Sequence, residues 1–204
     1  MAVRDDWDEI EQAWRTKHRI ELATPRLLMR PLRDDDADWL AELLCDTEVA
    51  RFLWECAETP EKGRKYAAAF IDLDHMRHRF GMWSIQDKES AEFHGWAELS
   101  KLRPWSGPSD EIALSYVLRR ASWGLGIATE AAGRLLRHAF EVCELERVMA
   151  VAMRGNVASK RVLEKIGMRW VAERTTADGV ELDYFRIDAG EFTTEDSPKC
   201  ADVE

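Results

Sequence analysis

The sequence is short of cysteine, of long apolar runs and of basic charge. Its four cysteines (Cys45, Cys56, Cys143 and Cys200) show no CxxC spacing. Nor do they interleave with the five histidines (His18, His75, His78, His94 and His138) in a structural-zinc pattern. No metal site is expected; His75 and His78 share a helical spacing but no carboxylate or cysteine motif joins them. Free thiols in a reducing cytoplasm are the simplest reading. No apolar run approaches the roughly 20 residues of a membrane-spanning helix. The opening Met1 to Trp7 has no apolar stretch of the signal-peptide type. A cytoplasmic protein with no membrane partner is expected. Lysine and arginine total 29 against 39 aspartates and glutamates, a net charge of -10. Nucleic-acid binding draws on a basic surface that displaces counterions from phosphate. DNA or RNA is therefore not expected as a ligand, whereas an acidic surface favours a cationic or amine partner.

What is present suffices for one sizeable core: 204 residues, 46% of them hydrophobic, with nine tryptophans. Trp7, Ile10 and Trp14 recur at helical spacing among charges, which makes residues 1–19 an amphipathic extension. Residues 188–204 are polar and acidic and read as a mobile tail. The main domain is expected over 20–187. Within it, Leu22 to Leu32 reads as one strand, and Asp34, Asp35 and Asp36 supply an acidic helix start. A short helical piece follows from Glu48 to Trp54. Thr59-Pro60-Glu61 opens a helix that runs to about Arg79. Strand patterns cover Gly81 to Gln86, Phe93 to Leu102 and Glu111 to Leu118. A strong amphipathic helix runs from Ile127 to Cys143, its apolar face built on Ala131, Leu135 and Ala139. Val148 to Met153 is a buried strand, and Asn156 caps a helix that stops at Gly167. Met168 to Thr175 and Val180 to Ile187 flank Asp178-Gly179, a hairpin signal. Several strands in succession, then strand-helix-strand-helix-strand-strand, exclude a regular barrel. They predict a mixed α/β (α+β) sheet covered by helices.

Chemistry concentrates where the strand ending at Leu118 passes through Trp123-Gly124-Leu125-Gly126 into the helix at Ile127. Glycines let the backbone approach a ligand with no Cβ in the way, and the free N–H groups of a new helix attract anions. Arg119 and Arg120 add positive charge beside them. A phosphate cradle and an ordinary tight turn both satisfy this pattern. It is not the dinucleotide GxGxxG, and no P-loop occurs, so NAD and ATP are not indicated.

The run from Trp123 to Ala131 resembles the acyl-CoA loop of the GCN5-related N-acetyltransferases (GNAT). Asn156-Val157-Ala158-Ser159 with the close Leu163-Glu164-Lys165-Ile166-Gly167 resembles that family's second signature. Thr24-Pro25-Arg26-Leu27-Leu28-Met29-Arg30 is similar to the first strand of its RimJ/RimL-like branch, the ribosomal-protein N-terminal acetyltransferases. The resemblance spans about residues 20 to 187. It implies a mostly antiparallel mixed sheet with splayed central strands and acetyl-CoA in the splay. It also implies pyrophosphate on the backbone of Trp123, Gly124, Leu125, Gly126, Ile127 and Ala128. Pantetheine would lie along Tyr116, Val117 and Leu118, with Asn156 and Ser159 approaching from the next helix. The oxyanion donor would be a backbone N–H near Val117.

The sequence departs from the family at four places. Trp123 stands where arginine or glutamine is common, and Arg120 where many relatives have proline; neither removes a backbone donor. Many relatives carry a glutamate at the place of Ala113. Glu111, two residues earlier on the same strand face, is the candidate base here, with Asp110 behind it. Leu163 stands where many relatives have a tyrosine acid, which leaves Ser159, or else Tyr116, for the thiol. An α-amine, with a pKa of about 7.7–8.0 against about 10.4 for lysine, suits an enzyme without a strong base. The expected acceptor is thus an amine on a protein N-terminus or a small molecule. An aminoglycoside acceptor and a non-catalytic acyl-CoA-binding module are the alternatives. A monomer or homodimer fits either.

Overall fold

A computed structural model describes residues 20–53, 57–76, 81–102 and 111–192. The N-terminal extension, residues 193–204, the loop at Trp105 to Asp110, and Trp54, Cys56 and His78 lie outside the described residues.

The stretch expected as one strand is two, β1 (Leu22–Ala23) and β2 (Leu27–Pro31), paired antiparallel with Leu22 opposite Met29. The reason is Thr24. Its N–H donates to the Leu27 carbonyl at 2.9 Å, and its hydroxyl accepts the Leu27 N–H at 2.8 Å. Such local side-chain bonds compete with strand pairing and turn the chain. A single 3-10 turn over Asp34–Asp36 then leads into α1 (Ala37–Cys45). Asp46 caps the short α2 (Thr47–Ala50), accepting from the Glu48 N–H at 2.9 Å. Helix α3 (Pro60–Met76) precedes three consecutive strands, β3 (Gly81–Asp87), β4 (Phe93–Lys101) and β5 (Ile112–Leu118). After them come α4 (Ile127–Glu141), β6 (Arg147–Met153), α5 (Val157–Lys165), β7 (Arg169–Thr175) and β8 (Glu181–Asp188). The stretch read as a tail from residue 188 begins inside this body. Arg147 and Arg169 pair with Asp188, and Phe192 packs on Phe140 at 5.3 Å between ring centroids. Among the described residues no helix is long and apolar enough to cross a membrane.

The eight strands form one sheet in the order β1-β2-β3-β4-β5-β6-β8-β7. Every neighbouring pair is antiparallel except β5 and β6, which run parallel and share one register pair, Ala113 opposite Met149. Beyond that pair the two strands part, and helix α4 carries the chain between them. Strand alternation divides the core in two. On one face Ala97, Leu99 and Leu114 pack with Ala131, Leu135 and Ala139 of α4. On the other, Met82, Trp96 and Val117 pack with Leu40, Leu43, Ala67 and Ile71 of α1 and α3.

The acidic helix start has a second function besides its favourable place at the helix dipole. Asp36 is 2% exposed, pairs with Arg30 at 2.7 Å, and accepts the Arg33 N–H and the Trp39 indole, each at 2.8 Å. Burial opposes its ionisation, but these donors, Arg30 first, outweigh burial and hold the carboxyl below its ordinary range. A depressed folded-state value stabilises the fold above the unfolded pKa of about 3.9, and that stabilisation is lost as pH falls through the lower folded value. Asp36→Asn is expected to lower Tm at neutral pH, with the gap from wild type narrowing below about pH 4. A gap that stays constant through acid would contradict the ion pair's role.

Candidate active site

Where β5 and β6 part, a cleft of about 160 Å³ opens, lined by Ala113–Val117 of β5, Ala150–Met153 of β6, and Asn156, Ser159 and Leu163. Its other wall comes from the α1 and α3 side: Leu44, Phe52, Leu53, Phe70 and Trp96. Tyr116, Val117, Asn156 and Ser159, all singled out in the sequence, thus meet at one place.

At the end of β5 the chain makes a 3-10 turn over Arg120–Ser122 and reaches the two glycines. Gly124 has φ +75° and Gly126 φ +80°, so both sit in left-handed backbone that L side chains rarely adopt. Gly126 is the N-cap of α4, whose first capping bond runs from the Glu130 N–H to the Gly126 carbonyl at 3.1 Å. The N–H groups at this junction have no intrahelical acceptor, and the helix dipole adds positive potential there. The loop is anchored on both sides. The Trp123 indole donates to the Leu118 carbonyl at 2.9 Å, and Ser122 Oγ lies 2.8 Å from the Nδ1 of His94. Burial, and then the nearby Arg119, push the His94 pKa down, so the imidazole is neutral at pH 7. Trp123, Leu125 and Val157 are exposed large apolar side chains, the first two within the glycine turn itself. The expected charge of Arg119 and Arg120 is partly spent within the protein. Arg119 pairs with Glu92, and Arg120 lies 3.9 Å from Asp46. The positive potential at this turn therefore comes chiefly from backbone amides.

Tyr116 reaches across the cleft. Its hydroxyl donates to the Ser159 carbonyl at 3.1 Å and lies 3.0 Å from Ser159 Oγ. Asn156 Oδ1 accepts the Ser159 N–H at 3.1 Å and so fixes the first turn of α5. Burial pushes the Tyr116 pKa well up, with the Ser159 hydrogen bond opposing, so the phenol holds its proton at pH 7. The sequence offered Ser159 and Tyr116 as alternatives for the thiol end; they form one pair.

The candidate bases fall elsewhere. Glu111 stands at the mouth of β5, 3.8 Å from Arg147, and is not among the residues that line the cleft. Asp110 lies outside the described residues. Ala113 does line the cleft, and the next residue on its face, Ser115, donates to Glu98 Oε2 at 3.2 Å. Glu98 is directly opposite Ser115 in the sheet and only 4% exposed. Sequence reasoning missed it. The available signal was a carboxylate two residues after Trp96, flanked by the apolar Ala97 and Leu99.

With this geometry in place, relatives identify the class. Residues 26–169 match the family model described as an acetyltransferase (GNAT) domain, well over half of the chain. The protein belongs to the GNAT acetyltransferase family, and its splayed sheet and glycine loop are that family's architecture. It is 29% identical over 165 residues to the putative ribosomal N-acetyltransferase YdaF of Bacillus subtilis, covering 79% of this chain and 87% of that one. It is 26% identical over 160 residues to the FsC-acetyl coenzyme A-N(2)-transacetylase of Aspergillus fumigatus, covering 76% and 67%. Among solved structures, a GNAT-family acetyltransferase from Bacillus anthracis superposes with a TM-score of 0.70 at 22% identity, covering 84% and 99%. The ribosomal-protein-S5-alanine acetyltransferase from Vibrio fischeri shares the fold with a TM-score of 0.67 at 18% identity, covering 85% and 99%.

The phenol that disappears in Tyr116→Phe is expected to ionise well above the ordinary tyrosine value of about 10 in a spectrophotometric titration. Ionisation at or below that value would contradict its burial against Ser159.

Proposed function

We propose that the protein transfers the acetyl group of acetyl-CoA to a primary amine on an apolar-bodied acceptor, with a protein N-terminal α-amine as the leading class. The reaction is direct attack in a ternary complex. The observation that carries this reading is the composition of the acceptor wall. Leu44, Phe52, Leu53, Phe70 and Trp96 line it, and no described lining residue is a carboxylate. A polycationic aminoglycoside would need several carboxylates to replace its hydration; a peptide end with one amine and apolar side chains does not. The name of the Bacillus subtilis relative, a putative ribosomal N-acetyltransferase, supports the same class. The reading also takes the reaction to be cytoplasmic.

Amides from Trp123 to Ala128 hold the pyrophosphate, and the edge of β5 at Tyr116, Val117 and Leu118 takes the pantetheine as an added strand. Asn156 and Ser159 close over it from α5. The neutral amine attacks the thioester carbonyl carbon, and a backbone N–H near Val117 stabilises the oxyanion. The carbon–sulfur bond breaks, and Tyr116, held by Ser159, delivers a proton to the departing thiolate. The proton lost by the amine passes to Ser115 and on to Glu98, which takes the role that Glu111 had by sequence. Placement of the two substrates supplies much of the rate.

Two measurements test this. Presented with acetyl-CoA and parallel sets of short peptides and aminoglycosides, the protein is expected to acetylate peptide N-termini and leave aminoglycosides unmodified. The reverse preference would overturn the acceptor class. Binding of acetyl-CoA with no acetylation of any amine would leave a non-catalytic sensor. On an accepted peptide, Glu98→Gln is expected to lower kcat by about 10²-fold, the usual scale of a lost general base, with KM for acetyl-CoA unchanged. A loss that appears in Glu111→Gln instead would return the base to Glu111.

A further inference from the structure

The motif at Thr24-Pro25-Arg26, remote from the cleft in sequence, meets the glycine loop in space. Glu130, in the first turn of α4, is 4% exposed, as is Thr24. One carboxylate oxygen of Glu130 accepts the Thr24 hydroxyl at 2.5 Å and the Arg26 backbone N–H at 3.2 Å. The other accepts Arg26 Nε at 2.7 Å and lies 2.6 Å from Nη2 of the same guanidinium. The remaining arm, Nη1, donates to the Leu125 carbonyl at 3.1 Å. The Arg26 side chain is half exposed, so its fork is seated on a buried carboxylate while its far edge touches the loop.

A consequence for the loop follows from peptide geometry. The described chain has no cis bond, and in a planar trans peptide the carbonyl and the following N–H point in opposite directions. With the Leu125 carbonyl turned in to Arg26, the Gly126 N–H is turned out. The adjoining charges add to this. A buried carboxylate under an anion site repels the anion unless a cation neutralises it, and the Arg26 guanidinium lies directly on Glu130.

We infer that Arg26, seated by Glu130 and Thr24, is a positioning residue of the cofactor loop: it locks the Leu125–Gly126 peptide so that its N–H faces the pyrophosphate. The inference rests on the proposed binding of acetyl-CoA at this loop. It assigns the role to the shape of the guanidinium as well as to its charge. Lysine offers one compact ammonium, and its donors are not fixed in the plane that spans Glu130 and the Leu125 carbonyl.

The test measures acetyl-CoA affinity by calorimetry on the full chain for wild type, Arg26→Lys and Arg26→Met. Amide relaxation of the ligand-free proteins is measured in parallel. Wild type is expected to bind, and both variants are expected to bind about tenfold more weakly, equivalent to about 1.4 kcal/mol. The Gly126 N–H is expected to be rigid in wild type, with an order parameter of about 0.85, and to fall towards about 0.6 in Arg26→Lys. Order in the core strands should be unchanged, a distinction that a merely destabilised fold would not make. Wild-type affinity in Arg26→Lys would overturn the inference, because charge alone would then suffice; so would an unchanged Gly126 order parameter. Should Arg26→Met fail to fold, Arg26→Lys carries the test. A wild type that does not bind acetyl-CoA would overturn the proposed function and not merely the role of Arg26.

Discussion

A single register pair between Ala113 and Met149 joins the two parallel strands at the middle of the sheet. Sheets gain from continuous pairing, and each backbone group left unpaired must find another partner. Here the pairing stops after one contact, and the strands' free edges become the walls of the cleft. Helix α4 makes this possible. It buries Ala131, Leu135 and Ala139 against one sheet face, and it spans the distance between the ends of β5 and β6. The site's other features hang on that separation: the Tyr116–Ser159 pair, the glycine loop at the end of β5, and the apolar wall from α1 and α3.

The electrostatics follow the same logic. A chain of net charge -10 repels an anionic cofactor at long range. The positive potential at the α4 N-terminus comes from oriented backbone dipoles rather than from free basic side chains, since Arg119 and Arg120 have acidic neighbours. Gly124 and Gly126 are needed there for their positive φ; a Cβ at Gly124 would meet nothing within 4 Å. The constraint is conformational and not steric. It determines where the N–H groups point, and that is the property an anion reads.

Features local in the chain were legible in the sequence. The glycine pair at a strand-to-helix junction marked the loop, Asn156 marked its cap, and the order of strands and helices gave a mixed sheet. Helix α4 ends at Glu141 and not at Cys143, a difference of a frayed last turn. Features that depend on register or on the crossover were not legible. Glu98 meets Ser115 only because β4 and β5 pair with those residues opposite. Tyr116 and Ser159 are 43 residues apart, and Arg26 and Glu130 are 104 apart. The first strand broke in two because the hydroxyl of Thr24 bonds the backbone of its own turn, which alternation of apolar residues cannot reveal. Glu111 immediately precedes β5, its carbonyl accepting the Leu102 N–H at 2.8 Å and its carboxylate lying 3.8 Å from Arg147, a neighbour that spacing along the chain cannot reveal.

The most direct test of the account is thermal unfolding with and without acetyl-CoA, with NAD and ATP as controls. A ligand present at about 100 times its Kd adds about 2.7 kcal/mol to stability. For a chain of this size that raises Tm by several degrees, at roughly 2–4 °C per kcal/mol. The account predicts such a rise with acetyl-CoA and none with NAD or ATP. No rise with acetyl-CoA at saturating concentration, or an equal rise with all three, would contradict the claim that the splay between β5 and β6 is a site built for an acyl-CoA.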